Sequence, residues 1–431
     1  MSSIWQAKTE KNSFPTLTGD ISTDVAIVGG GLAGVLTAYM LKTHGVNCVV
    51  LEKNTVGSGT TAGSSAKITA QHGLIYHKLL KKFGKEKTAL YYRLNSEAVE
   101  KYRRLAEKFP CELEVKDNFI YTSDGRNKIY AEMEALNEIG ADAELFDSLP
   151  LPFDISGAVC FPNQAQFNPL KLVRALADGL TVYENTLVKD VRGNLVLTDK
   201  GTVKAERIII CSHFPFIDRH GLFFMKMYQH RSYMLALSGA PLFDGMFLDD
   251  KQDGISLRTS GELLLIGGGD RRTGKKGGCF EALRDVRKTY FPESNEKYAW
   301  AAQDCITLDS MPYIGRYSKS TPELYVATGF NKWGVTSSMV AAELLYALVT
   351  ERHHPAEELF CPSRSMLHPQ LILNAFDSAV GLLTPLPKRC THLGCALKYN
   401  KAEHSWDCSC HGSRFGEKGE VLDGPANKKL S

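Results

Sequence analysis

A short apolar run, DVAIVG (24–29), leads directly into Gly29-x-Gly31-x-x-Gly34, and a helical pattern, VLTAYMLKTHG, follows. The next apolar run, VNCVVLE (46–52), ends on an acid, Glu52. Apolar runs this short and rich in Val and Ile read as buried strands. The unit is therefore strand, glycine turn, helix, strand. Gly29 permits the tight turn, Gly31 lets a pyrophosphate approach the backbone, and Gly34 lets helix pack on strand, with Gly30 inside the same turn. The helix N-terminus supplies free N–H groups and the positive end of the dipole. Glu52, 18 residues after Gly34, stands where an acid accepts hydrogen bonds from an adenosine ribose. The pattern predicts a bound dinucleotide and leaves NAD and FAD both open.

At 431 residues the chain has room for two or three domains. With 43% hydrophobic and 23% charged residues it is an ordinary globular composition. Lys+Arg (51) and Asp+Glu (48) nearly cancel, which gives no electrostatic case for nucleic acid. No apolar run is long enough to span a membrane. The first twenty residues lack the apolar core of a secretory signal, so the expected compartment is the cytoplasm. Residues 1–20 read as a polar arm. Helices are expected over 76–108, 129–140, 281–290 and 336–350, and strands over 181–211, 228–269 and 324–329.

Several separated segments resemble the FAD-dependent amine and amino-acid oxidoreductases of the D-amino-acid oxidase type, glycine and sarcosine oxidases among them. After Glu52 and Lys53 comes GSGTTAGSSAKITAQHG (57–73), similar to that family's Gly/Ser-rich loop beneath the flavin. TLVKDV (186–191) resembles the strand that sets a backbone group, near Val188, on the adenine. RIIICSHFPF (207–216) resembles the return strand at the pyrophosphate. DSMPYIG (309–315) and LYVATGFNKWGVTSS (324–338) resemble the late segment that closes over the ring.

The resemblance implies a Rossmann-type α/β FAD-binding domain with an inserted antiparallel substrate domain. It places Thr60, Thr61, Ser65, Lys67, Gly315, Gly329, Gly334, Val335 and Thr336 at the cofactor. A helix opening at 336 directs its positive end toward negative charge on a reduced flavin. The loop 57–66 holds neither His nor Cys, so the FAD is expected to be non-covalent. Arg231 and Tyr233 alternate along one strand and share a face, where they suit a substrate carboxylate. His72, Lys332 and Trp333 are further candidates for the substrate pocket.

Seven of the eleven cysteines are scattered, and four fall within 390–410. The pattern is Cys390-x-His392, fifteen residues, then Cys408-x-Cys410-His411. Two thiolates and two imidazoles suit structural zinc or a Rieske [2Fe–2S] centre. CTHLGC (390–395) and CSCHGSRF (408–415) resemble the two Rieske boxes. That resemblance implies Cys390, His392, Cys408 and His411 as ligands, a Cys395–Cys410 disulfide, and Ser413 as hydroxyl donor to a bridging sulfide. GPA (424–426) resembles the proline loop that covers the cluster. Phe415 stands where high-potential relatives carry Tyr, and its ring has no hydroxyl to donate to sulfur, so the potential is expected to be low. Only 28 residues separate Cys361 from Cys390, so the small all-β module is expected to have a shortened base.

The expected domains are an arm (1–20), an FAD oxidoreductase (21–355), a linker (356–369) and a shortened Rieske module (370–431). Within 21–355, segments near 21–75, 150–215 and 300–355 are expected to bind FAD, and 76–149 and 216–299 to form the substrate domain. The leading expectation is dehydrogenation of an amine or amino acid by hydride transfer to FAD, with single electrons passing through the cluster to an external acceptor. The alternatives are a reductase component running in the opposite direction and a non-catalytic redox-sensing flavoprotein.

Overall fold

The computed structural model describes residues 2–430 apart from 11, 252, 277 and 278. Ile21–Val28, a strand whose second half is apolar and buried, pairs in parallel with Cys48–Leu51 on one side and Thr202–Ile210 on the other. Leu324–Thr328 and Thr181–Tyr183 extend this sheet in parallel, and Tyr313–Arg316 closes one edge antiparallel. Val188–Arg192 and Leu195–Thr198 form a hairpin on Thr202–Ile210. The helices Leu32–Thr43 and Gly334–Val349 pack against each other, and both contribute to the largest core cluster. Parallel strands covered by helices are buried on both faces, so they read as unbroken apolar runs.

A second, nine-stranded sheet is antiparallel except where Glu114–Thr122 meets Met246–Asp249. Asn295–Thr307, Met227–Ser238 and Leu263–Arg272 are neighbours at one end. The sheet takes up Gly157–Gln166 and Asn295–Thr307 as well as strands from 114–149 and 227–272. The expected helix over 76–108 forms as Tyr76–Lys108, with non-helical backbone at Gly84 (φ 79°).

Two segments differ from the sequence reading. Among the described residues, the expected arm (1–20) does not stand free. Ile4–Lys8 is a helix with a capping box between Ser3 and Gln6, Ile4 and Trp5 are buried, and Trp5 Nε1 donates to Ser64 O at 2.8 Å. One buried aromatic is enough to hold a polar segment down. The run LILNAF (371–376) belongs to a helix, Pro369–Leu383, which supplies the base of the C-terminal module. Its inward residues include Asn374 and Gly381, while Ile372, Leu373, Phe376, Val380 and Leu383 face outward. The rest of the module is a four-stranded antiparallel meander: Leu397–Asn400, Ser405–Cys408, Arg414–Gly416 and Val421–Asp423.

Candidate functional site

The glycine turn has the geometry its sequence demands. Gly29 has φ 112°, and a Cβ there would lie 2.5 Å from Cys211 O. A Cβ on Gly34 would lie 2.0 Å from Gly29 O, so only glycine lets the helix sit this close to the strand. Gly31 caps the helix Leu32–Thr43. Glu52 closes the turn from the neighbouring strand. Its carboxylate accepts from Gly30 N at 2.7 Å and Asn54 N at 2.8 Å, and burial pushes its pKa up. Each oxygen keeps a second lone pair for a ribose hydroxyl. Lys53 beside it is exposed.

The Gly/Ser loop reaches the same helix end, where Thr61 Oγ1 accepts from Leu32 N at 3.0 Å. Thr186 N donates to Glu52 O at 2.9 Å, which brings the strand beginning at Val188 beside the acid. Thr60 lies between His213 Nδ1 and Gln303 O, each at 3.4 Å. Ser65, Lys67, Val335 and Thr336 line one small cavity together with Lys332 and Trp333. Lys67 is buried with its Nζ on Phe247 O at 3.1 Å, and burial lowers its pKa to about 7. Gly315 is placed differently. It lies in an edge strand, where a Cβ would meet Pro362 of the connector at 3.1 Å.

Between Gly329 and Gly334 the chain turns through Asn331 and Lys332, both with positive φ (52° and 72°). Such left-handed backbone at non-glycine residues is strained, and here Asn331 pins it by accepting from Thr307 N at 2.8 Å and donating to Gly329 O at 2.9 Å. This sets Lys332 and Trp333 in the wall of a cavity of about 210 Å³, with His72, Tyr91, Tyr228 and His230. Lys332 is ion-paired with Asp270.

His72 lines the cavity, but both its nitrogens are engaged. Nε2 lies 2.9 Å from Thr69 O, and a carbonyl only accepts, so Nε2 carries the proton. Nδ1 is then left to accept from Tyr91 OH at 2.6 Å. Thr336 Oγ1 stands 2.9 Å from Nε2 and itself donates to Thr69 O. Burial pushes the His72 pKa down to about 3, so the ring is neutral. It serves as a platform on which Trp333 stacks, 4.9 Å between centroids and 15° between planes.

Arg231 and Tyr233 share a face, as the alternation requires, but the carboxylate they hold is the protein's own. Arg231 Nε lies 3.0 Å from Glu403 Oε2 and its Nη2 donates to Oε1, while Tyr233 OH donates to Oε2 at 3.2 Å. Their expected role at a substrate is therefore withdrawn: the C-terminal module occupies their face of the strand. Glu403 also meets Arg414, which bonds Asp407 at 3.1 Å and Asp423 at 2.9 Å. Burial alone would raise the Asp423 pKa, but Arg414 and Arg231 hold it down to about 2.

The two Cys/His boxes fold alike. Gly394 N donates to Cys390 O at 2.9 Å, and Gly412 N donates to Cys408 O at 3.0 Å. The imidazoles of His392 and His411 meet edge to face, with centroids 5.0 Å apart and planes 85° apart. Each has a buried Nδ1 without a hydrogen-bond partner among the described residues. A buried imidazole lone pair left unsatisfied is costly, and a metal ion satisfies it. Ser413 is fully buried and its hydroxyl accepts from Ala426 N at 3.0 Å, which seats the GPA loop over the boxes. The expected Cys395–Cys410 disulfide is not formed, and all eleven cysteines are free. The Sγ atoms of Cys395, Cys408 and Cys410 lie within 4.8 Å of one another, so the pair shares its space with a third thiol.

The sequence did not single out the groups that seat these boxes. Gln229 Nε2 donates to His411 O at 2.5 Å and Gly424 O at 3.0 Å. Gln303 Nε2 donates to Gly412 O at 2.8 Å and Gln229 Oε1 at 2.6 Å. Phe224 packs edge-on to His411 at 5.7 Å, and His392 Nε2 lies 2.9 Å from Asp218 Oδ2. The only signal for them was two glutamines inside strands that are otherwise largely apolar.

Among the described residues, no helix is long and apolar enough to cross a membrane. Residues 24–348 match the family of FAD dependent oxidoreductases, and residues 372–431 match the Rieske [2Fe-2S] domain. The chain is 36% identical to YhfW of Bacillus subtilis (strain 168), described as a Rieske 2Fe-2S iron-sulfur protein, over 99% of this chain and 96% of the relative. It is similar in fold to the crystal structure of glycine oxidase from Geobacillus kaustophilus (TM-score 0.67, 22% identity, 80% of this chain and 99% of that one). It is equally similar to L-proline dehydrogenase from P. horikoshii (TM-score 0.67, 20% identity, 81% of this chain and 98% of that one). The chain therefore belongs to the FAD-dependent oxidoreductase family and carries a Rieske domain, and its cofactors are FAD and a [2Fe–2S] cluster.

Proposed function

We propose that this enzyme dehydrogenates an amine or amino acid, and that electrons leave singly through the cluster to an external acceptor. The observation that carries this reading is the alternation along Met227–Ser238. Tyr228 and His230 line the 210 Å³ cavity, while Gln229 and Arg231 hold the Cys/His module. Successive residues of a strand point to opposite faces, so one strand's thickness separates the cavity from the module. The fold shared with glycine oxidase and L-proline dehydrogenase supports the substrate class.

FAD, when bound, takes a hydride from the C–H next to nitrogen, and the cluster carries one electron at a time. The residues around them have separable tasks. The Gly29–Gly34 turn, Glu52 and Thr61 would hold the dinucleotide. Cys390, Cys408, His392 and His411 would hold the cluster, the two imidazoles through Nδ1. Burial pushes His72 and His230 to about 3, so both are neutral at pH 7. Such a cavity favours an amine that has already lost its proton, and no side chain is required as a base. With Arg231 engaged elsewhere, Lys332 is the cation in the cavity wall, and its charge is already met by Asp270. Trp333, fixed on His72, walls the cavity off.

The test is iron, zinc and flavin content of the purified protein, an EPR spectrum after dithionite, and turnover of glycine, L-proline and simple amines with an artificial one-electron acceptor. The reading expects two irons and one FAD per chain, the low average g of a Rieske centre, and turnover of at least one compound. FAD with zinc, or with no metal, would leave a plain flavoenzyme with a structural tail.

A further inference from the structure

The histidine edge of the Rieske module does not face solvent. His411 and the side chain of His392 are buried, and the group covering them comes from the flavoprotein half, in the loop after the strand Thr202–Ile210 and the short helix Phe223–Lys226. Phe224 lies 5.7 Å from the His411 ring and 6.5 Å from the His392 ring. Asp218 Oδ2 stands 2.9 Å from His392 Nε2, 174 residues away in sequence.

That single contact decides the chemistry of the ring. A carboxylate can only accept, so Nε2 of His392 must carry the proton. The lone pair is then on Nδ1, the atom that is buried and unpartnered. Asp218 thus selects the tautomer in which His392 can bind iron and fixes the plane of the ring.

The acid is itself held in place. Ile217 on one side is buried, and its carbonyl accepts from Tyr317 OH at 3.2 Å. Arg219 on the other side pairs with Asp190 at 2.8 Å. A carboxylate anchored on both sides returns to one position, which is what an orienting partner needs.

We propose that Asp218 is a positioning residue for the cluster, supplied by the flavoprotein half, that lowers the cluster's reduction potential. It rests on the assignment of His392 as a ligand made above. A carboxylate accepting the Nε2 proton makes the imidazole a stronger donor, which favours oxidised iron. Its fixed negative charge also opposes the added electron. Both effects act in the same direction. The contact exists only while the two halves are docked, so the potential of the docked cluster differs from that of a displaced one.

The experiment is an EPR-monitored redox titration at one fixed pH on the full-length holoprotein, comparing wild type with Asp218→Asn and Asp218→Glu, with iron and FAD measured on each. Asp218 is partly exposed, so the asparagine variant is expected to keep both cofactors. The expected result is a midpoint potential shifted to a more positive value in Asp218→Asn and returned toward wild type in Asp218→Glu. Loss of iron from Asp218→Asn with FAD and iron retained in Asp218→Glu would also support the assignment. Full occupancy with an unchanged potential in Asp218→Asn overturns it, as does identical behaviour of the two variants. Absence of a Rieske signal from wild type itself overturns the ligand assignment and this inference together.

Discussion

The two cofactor sites are built in opposite ways. The centre of the dinucleotide site comes from one contiguous stretch, in which a strand, three glycines, a helix and the next strand's Glu52 lie within 32 residues, and other segments add to it. The cluster site takes its ligands from two local boxes but its setting from elsewhere: Asp218, Phe224, Gln229, Arg231 and Gln303 all belong to the flavoprotein half. The first site is complete within its own fold. The second is a small module, four short strands and a helix, that leans on a larger body. Small modules bury too little surface to be stable by themselves, and a buried interface supplies the difference.

If that contrast is right, damage should spread in one direction only. Cys408→Ser removes a thiolate proposed to hold iron without touching the glycine turn. We expect all iron and the whole Rieske EPR signal to be lost while flavin stays at one per chain. Loss of flavin along with iron would break the contrast.

Gly34→Val puts side-chain atoms where a Cβ alone would stand 2.0 Å from Gly29 O. Backbone must shift, at a cost of about 1–3 kcal/mol or more, and flavin content should fall to near zero.

The interface comes next. Arg231→Ala takes one of two arginines from buried Glu403 and leaves Arg414 at 3.1 Å, so the cost stays below the about 3–5 kcal/mol of a buried charge left unpaired. Denaturant unfolding followed at the cluster chromophore should move to lower denaturant. Turnover should keep its KM. An unchanged unfolding curve with a raised KM would return Arg231 to the substrate.

A smaller effect is expected with pH. The pKa of Asp423, about 2, lies below its ordinary value of 3.8 because Arg414 and Arg231 favour the charged form. Its contribution is therefore complete above pH 4 and is lost as pH falls from about 4 to 2. The gap in unfolding free energy between wild type and Asp423→Asn should close over that interval.

The smallest change concerns Phe415, which is fully buried in the module. Phe415→Tyr offers a hydroxyl toward ligand sulfur, and the midpoint potential should rise.

What the sequence made legible follows the same division. The glycine turn could be read because each glycine answers a steric demand set by residues close in sequence, as the 2.0 Å approach at Gly34 confirms. The two boxes could be read because each closes its own five-residue turn, Cys390 to Gly394 and Cys408 to Gly412. Arg231 and Tyr233 were placed correctly on one face of one strand but assigned the wrong partner. Their carboxylate, Glu403, lies about 170 residues away, and alternation gives the face without saying what covers it. Asp218 carries no local signal at all, being an ordinary acid in a loop until the fold brings His392 to it. The N-terminal helix was missed because its burial rests on Ile4 and Trp5 in an otherwise polar stretch.

The most direct test of the account is anaerobic stopped-flow with the holoprotein and the first amine or amino acid found to bleach its flavin. The absorbance of oxidised flavin and that of the cluster are followed together. The account predicts that the flavin bleaches first and that the cluster is then reduced within the same chain, without added carrier and at a rate independent of protein concentration. A flavin that bleaches fully while the cluster stays oxidised would contradict it.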